Sequence, residues 1–401
     1  DNYEYNIDGL IFMPMNYYSP LHSLEEQIDQ IGTQIKAEHS MLEDAVQAFR
    51  DADIYTVNRE DGLVENYQYF IYPFKGMTLV DTALYQLLGK FLARMVPKEA
   101  EVIVSIEADG IGIATFVAAE LGLPLVIAKH FHYNVPCVEF TQQAGYHKRQ
   151  MYLPKCIEGK KVALIDCMVS TGGTIKAMVK AMEGMHDVTV LGTYCVNDKN
   201  NYRTKEKTLA GYAYKYLISA TIDEQGDVQA NSSWDLRKTF WESLDEKFYK
   251  ITEQCSTFSS VSKRGYQVGS IIVDANTFEI LSWGYRRGNL HAEQDAIAML
   301  KTNCPDWKKR QLTIYSTMEP CCYRNDKDHT SCAEIIADIE QIKWVIIGSR
   351  DVADKKIDGE GMNLLLSNGK HIRLIETDEI LRPEEFVKES ATSGALAMQT
   401  I

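Results

Sequence analysis

The chain has 401 residues, 45% hydrophobic and 24% charged, ordinary globular values that exclude disordered, collagen-like and coiled-coil classes. Its 42 Lys and Arg stand against 56 Asp and Glu, a formal charge of −14 that repels polyanions and argues against a general nucleic-acid or membrane-surface binder. Crossing a bilayer takes about 20 clean apolar residues, and the most apolar stretch, 111–128, is broken by Glu120 and Pro124. No secretory signal pattern opens the sequence, and three of its nine cysteines crowd into 321–332. The expectation is a reduced, cytosolic protein with a metal site, without a disulfide framework.

Residues 21–50 carry apolar side chains at helical spacing (Leu24, Ile28, Ile31, Ile35, Leu42, Val46, Phe49), which predicts one or two N-terminal helices. From about residue 76, strands and helices alternate: helix 84–95, strand 101–106, helix 113–121, strand 124–128, strand 162–166, helix 174–182 and strand 188–196. This alternation implies a parallel sheet covered by helices. A helix is predicted over 234–249, and a boundary is placed in the Ser-rich stretch beginning at Ser256. A second alternation follows: strands 268–273 and 280–285, helix 291–300, strand 312–316, helix 331–339 and strand 344–347. The expected organisation is an N-terminal helical appendage (1–64), an α/β domain (65–255) and a smaller α/β domain (256–401).

The first constellation is Val162-Ala-Leu-Ile-Asp166-Cys167-Met-Val-Ser170-Thr171-Gly172-Gly173-Thr174. A buried strand delivers an acid at its C-terminal end, where open α/β sheets bind ligands. A hydroxyl- and glycine-rich turn into a helix then lets backbone N–H groups approach a phosphate. Asp166 is suited to accept sugar hydroxyls or to position Mg²⁺. An ordinary glycine turn explains a bare Gly-Gly but not the full string. No Gly-Lys-Ser/Thr is present, so this is not a Walker loop.

The segment resembles the phosphoribosyl-pyrophosphate signature of type I phosphoribosyltransferases, in their adenine phosphoribosyltransferase-like branch. Ser105-Ile-Glu-Ala-Asp-Gly110, the run from Ala118 to Lys129, Glu139-Phe-Thr-Gln-Gln-Ala-Gly-Tyr146 and Phe74-Lys-Gly-Met-Thr-Leu-Val-Asp81 are similar to that branch's pyrophosphate loop, helix and strand, hood and early motif. The resemblance implies transfer of a phosphoribosyl group from phosphoribosyl pyrophosphate to a nucleobase, with Mg²⁺. Lys129 would neutralise pyrophosphate, Ser170, Thr171, Gly172, Gly173 and Thr174 would hold the 5′-phosphate, and Asp166 would bind a ribose hydroxyl. One departure stands out: the signature carries two adjacent acids, and here the second is Cys167.

The second constellation is His291-Ala-Glu293, then Thr317-Met-Glu-Pro-Cys321-Cys322, then Cys332. One His and two Cys supply three Zn²⁺ ligands and leave a fourth position for water, the pattern of a catalytic site. Glu293, two residues past the His, is placed to move protons without binding metal. A structural knot using both adjacent cysteines would give Glu293 no role. The segment resembles the cytidine deaminase-like superfamily, in particular the riboflavin-pathway pyrimidine deaminases, through 267–273, 284–293, 317–332 and 347–369. That likeness implies a cytidine deaminase-like α/β/α sandwich with His291, Cys321 and Cys332 on zinc and Glu293 as proton shuttle. Arg324, Lys327 and His329, in the long Cys321–Cys332 gap, are either substrate contacts or a solvated loop.

The expectation is a two-domain α/β enzyme that uses Zn²⁺ and Mg²⁺, transfers a phosphoribosyl group to a base and hydrolytically deaminates a base or nucleotide. Homo-oligomerisation is expected by analogy. One alternative is a deaminase governed by a catalytically silent ligand-sensing domain, motivated by Cys167. Another is a deaminase of single-stranded nucleic acid, which the −14 charge disfavours.

Overall fold

The computed structural model describes residues 24–57, 64–72, 75, 77, 79–145, 147–202, 208–259, 266–322, 330–352 and 358–382. They form two compact units, one of Glu38–Ser243 and one joining the described residues from Leu244 onward to those up to Ala37. Both divisions fall inside helices. Helix α1 is Leu24–Arg50, one continuous helix over the predicted N-terminal segment. The other divided helix, α5, is Trp234–Thr257.

In the first unit, strands β1 (Ile54–Val57) and β2 (Tyr67–Phe70) form an antiparallel ribbon. Helix α2 (Thr82–Met95) starts on Asp81, whose carboxylate accepts the N–H groups of Ala83 and Leu84. There follow β3 (Val102–Ile106), α3 (Gly110–Leu121), β4 (Leu125–Ala128) and an antiparallel pair, β5 (Cys137–Gln143) with β6 (Lys148–Pro154). Next come β7 (Lys161–Val169), α4 (Gly173–Glu183), β8 (Thr189–Lys199), β9 (Thr208–Leu209), β10 (Tyr212–Ile222) and β11 (Val228–Ser232).

The sheet order is β11-β10-β8-β7-β3-β4, parallel from β10 to β4. The chain winds outward from β3 to β4 and, on the other side, from β7 to β8 and β10. The order therefore reverses between β3 and β7, which opens a crevice at their C-terminal ends. Alternation along β7 sets its faces. Val162 and Leu164 join a core with Ile175, Met178, Val179 and Met182 of α4. Each such buried side chain contributes about 1.5–3 kcal/mol, which holds in place a helix too short to persist alone in water. The intervening Ala163, Ile165 and Cys167 face the side of α2 and α3.

The second unit holds β12 (Gly269–Asp274), β13 (Ile280–Tyr285), α6 (Ala292–Asn303), β14 (Leu312–Met318), α7 (Cys332–Ala337), β15 (Ile342–Ser349), α8 (Glu360–Ser367), β16 (His371–Leu374) and β17 (Glu379–Leu381). Its sheet order is β13-β12-β14-β15-β16-β17, with β14, β15 and β16 parallel. Ile272, Ile314, Val345 and Ile372 of the sheet share one core with Ile297 and Leu300 of α6, Ile336 of α7 and Leu365 of α8.

The division at Ser243/Leu244 differs from the boundary placed at 255/256, and its cause is polar. The Tyr315 hydroxyl of β14 donates to Asp245 Oδ1 at 2.6 Å, and Arg373 of β16 pairs with the same buried carboxylate. Removing either partner would strand a buried charge, so the second half of α5 belongs with the second sheet. Periodicity registers helix but not which sheet a buried acid will meet.

Candidate functional sites

In the first unit a cavity of about 680 Å³ opens at the crevice between β3 and β7. Its lining includes Lys75, Glu107, Asp109, Gln142, Arg149, Asp166, Ser170, Thr171, Gly172 and Thr174. The β7 strand supplies Asp166, and the turn into α4 supplies the rest of the glycine-hydroxyl string. Gly172 caps α4 with φ of 74°, a left-handed conformation that glycine adopts at no steric cost. Thr171 Oγ1 accepts the Gly173 N–H at 3.3 Å, and Gln142 of β5 donates to Thr174 Oγ1 at 3.2 Å.

Asp166 is buried, and its carboxylate accepts the Cys167 N–H at 2.7 Å. Burial pushes its carboxyl up to about 7, and nearby Asp109 adds to that. Asp109 is itself held by the Lys75 ammonium at 2.8 Å and the Tyr72 hydroxyl at 3.1 Å. Cys167, one residue on, points to the opposite face of β7. It is fully buried, hydrogen-bonded to Tyr72 and absent from the cavity lining, and burial pushes its thiol far up. The position where the signature has a second acid thus faces the protein interior.

Asp166, Ser170, Thr171, Gly172 and Thr174 come together at the cavity, with Gly173 in the first turn of α4. Lys129 does not join them. Its backbone pairs with Tyr152 of β6 in both directions, and its ammonium lies 3.8 Å from Glu107 Oε2, outside the cavity lining. Glu107 also accepts from the next residue, His130. Lys75, Lys148 and Arg149 line the cavity instead. Sequence reasoning passed over Lys75 because its relation to Asp109 spans a turn, a helix and a strand. Phe74, Gly76, Thr78 and Tyr146 lie outside the described residues.

In the second unit, three elements bring His291, Cys321 and Cys332 to one point. His291 is the N-cap of α6, fixed by a capping box in which Gln294 accepts its N–H at 3.2 Å. Cys332 is the first residue of α7, which starts on a second capping box, Ser331 with Glu334. Cys321 follows β14, and its carbonyl accepts the Ala333 N–H. Glu319, two residues earlier and buried, accepts the N–H groups of Asp351, Gly359 and Met362 at 3.2–3.3 Å, which anchors the Cys321 loop. Arg324, Lys327 and His329 lie outside the described residues.

His291 Nδ1 is 3.5 Å from Cys321 Sγ and 3.4 Å from Cys332 Sγ, and the three ligand atoms lie within 4.8 Å of one another. Zn–S near 2.3 Å and Zn–N near 2.0 Å at tetrahedral angles place N and S about 3.5 Å apart. The donor set and its spacing therefore fit zinc. Cys321 occupies this group and Cys322 does not. Hydrogen bonds from Cys332 and His291 draw the Cys321 thiol down, and the same contact with Cys321 pushes Cys332 up. Glu293, also buried, accepts the Ser316 hydroxyl at 2.9 Å, and burial raises its carboxyl. Ser316, on β14, is invisible to motif reading because it meets Glu293 only where α6 packs on the sheet.

The comparisons with known proteins agree with this division. Residues 76–217 match the family profile described as phosphoribosyl transferase domain, and residues 242–349 the one described as cytidine and deoxycytidylate deaminase zinc-binding region. A hypoxanthine/guanine phosphoribosyltransferase of Methanohalophilus mahii is 33% identical over 162 residues, 40% of this chain and 84% of the relative. The chain joins a phosphoribosyltransferase domain to a deaminase domain. Among solved structures, this fusion is similar to adenine phosphoribosyltransferase from Thermoanaerobacter pseudethanolicus (20% identity, 44% of this chain and 99% of that one, TM-score 0.36). It is also similar to a diaminohydroxyphosphoribosylaminopyrimidine deaminase/5-amino-6-(5-phosphoribosylamino)uracil reductase from Thermotoga maritima (24% identity, 37% of this chain and 39% of that one, TM-score 0.30). Among the described residues no helix of the fusion is long and apolar enough to cross a membrane.

Proposed function

We propose that the chain is a bifunctional enzyme of nucleotide metabolism. The first unit transfers a phosphoribosyl group from phosphoribosyl pyrophosphate, with Mg²⁺, to a nucleobase. The second hydrolytically removes an exocyclic amino group from a base or nucleotide. The observation that carries this reading is that each unit assembles its own complete set: Asp166 with the 170–174 loop on one cavity, and His291, Cys321 and Cys332 within 4.8 Å beside buried Glu293.

In the first unit, Ser170, Thr171 and Thr174 with the N–H groups of the α4 turn bind the 5′-phosphate, and Asp166 accepts a ribose hydroxyl. The transfer develops positive charge on the sugar, so binding and orientation of the leaving pyrophosphate dominate catalysis. Lys75 and Arg149 on the cavity wall suit that task better than Lys129. In the second unit, His291, Cys321 and Cys332 hold zinc, which when bound lowers the pKa of a water toward neutrality. Glu293, oriented by Ser316, takes a proton from the attacking water and passes it to the departing ammonia. The Methanohalophilus mahii relative is named for hypoxanthine and guanine, which makes purines the first bases to try, and guanine carries an exocyclic amino group.

The alternative, a silent sensor in the first unit, rests on Cys167. Its burial behind Asp166 weakens that motive, because the thiol is not where a sugar hydroxyl would come. Ammonia and pyrophosphate release from zinc-loaded protein, with guanine, adenine and cytosine and with or without phosphoribosyl pyrophosphate and Mg²⁺, tests both readings. The two-step enzyme releases pyrophosphate with one base, and its ammonia requires phosphoribosyl pyrophosphate. A sensor releases ammonia but no pyrophosphate. Glu293→Gln should lower ammonia release about 10²–10⁴-fold while pyrophosphate release persists.

A further inference from the structure

Tyr67 of β2 is fully buried, and its hydroxyl donates to Ser170 Oγ at 3.0 Å. Its ring stacks on Tyr202, with centroids 4.9 Å apart. The Lys199 ammonium lies 4.3 Å from the Tyr67 centroid and 4.7 Å from that of Tyr202. Lys199 is wholly buried, donates to the Gln68 carbonyl and, among the described residues, forms no ion pair with a carboxylate. Burial lowers its pKa to about 7, and the two aromatic rings face its ammonium form. Gly145, in the turn between β5 and β6, packs so closely that a Cβ there would clash with the Tyr67 ring at its Cε2. Tyr67, Gly145 and Ser170 all line the cavity.

We infer that Tyr67 is a positioning residue for the phosphate end of the cavity, acting through Ser170; this rests on the phosphoribosyl reading above. A serine hydroxyl has one proton and two lone pairs. Accepting from Tyr67 commits a lone pair and turns the Ser170 O–H outward, where it donates to a phosphate oxygen. A cation on the ring face draws electron density from the phenol and makes its O–H a stronger donor. In its ammonium form Lys199 therefore strengthens the Tyr67–Ser170 bond without touching the ligand. The ring, in contact with both Tyr202 and Gly145, also fixes the β5–β6 turn relative to the phosphate loop.

The two ends of the cavity are read separately by calorimetric titration of the full-length chain with ribose 5-phosphate and with inorganic pyrophosphate, both with Mg²⁺. Tyr67→Phe keeps the ring and removes the donor. It should weaken ribose 5-phosphate about five- to tenfold and leave pyrophosphate within about twofold. Ser170→Ala should do the same, and the double variant should be no weaker than Ser170→Ala alone. A merely structural Tyr67 would weaken both ligands alike. Equal weakening, or unchanged ribose 5-phosphate binding, overturns the inference alone; an unmodified chain that binds neither ligand overturns the phosphoribosyl reading and the inference with it.

Discussion

Neighbouring residues on one strand have opposite fates here. Asp166 faces the cavity and Cys167 the interior, because strand side chains alternate. The sequence shows both, and the period of two already says they diverge, but only the packed sheet says which face holds the cavity. Burial raises the Asp166 carboxyl from its ordinary value of 3.8 to about 7. The folded state thus favours its protonated form. Its contribution to stability is greatest below pH 3.8 and is lost as pH rises through about 7. On the function proposed above, binding runs the other way, since the carboxylate is the form that accepts a ribose hydroxyl. Ribose 5-phosphate should bind more tightly as pH rises through about 7. Titrations of the unmodified chain and Asp166→Asn across that range check this: the phosphate's own ionisation appears in both, and the Asp166 contribution is their difference. Identical profiles would contradict it.

Elements, not single side chains, build the zinc group. Two capping boxes fix the starts of α6 and α7; Ser331-x-x-Glu334 has the usual local signature, whereas the His291–Gln294 box shows only in the structure. The third ligand is different. Cys321 sits on a loop whose position is set by Glu319 reaching backbone N–H groups at 351, 359 and 362, and by the close approach of α8. Gly361 lies against the Pro320 carbonyl, and an added Cβ would collide with it. Gly361→Ala should therefore push the Cys321 loop off α8 and lower zinc retention, with little effect on the first unit. Metal content after dialysis against a mild chelator, beside pyrophosphate release, reports this; retention equal to the parent chain would show that α8 yields instead.

For the whole molecule, each unit has its own sheet and core, and the zinc donors belong to one of them. A ligand stabilises what it binds, by about 4 kcal/mol at a thousandfold excess over its dissociation constant. Scanning calorimetry should show two transitions, and a chelator should lower one while ribose 5-phosphate raises the other. A single transition displaced by either treatment would show that the units unfold together. The sequence by itself determined the two α/β domains, and it picked out His291, Cys321, Cys332 and Glu293 and the strand-turn-helix after Asp166 as candidate sites, each of which the fold gathers at one place. These are local strings or periodic patterns, in which a few adjacent residues carry the whole requirement. It missed β10 and β11, whose residues alternate too weakly to stand out, and it placed Lys129 at a cavity that the fold lines with Lys75, Lys148 and Arg149. Tertiary structure alone decided that α5 is shared between the units, that Ser316 meets Glu293, and that Tyr67 reaches Ser170. The reason is physical: these contacts join groups far apart in sequence, and the partner of a buried polar group is set by which elements pack together, which no local pattern records.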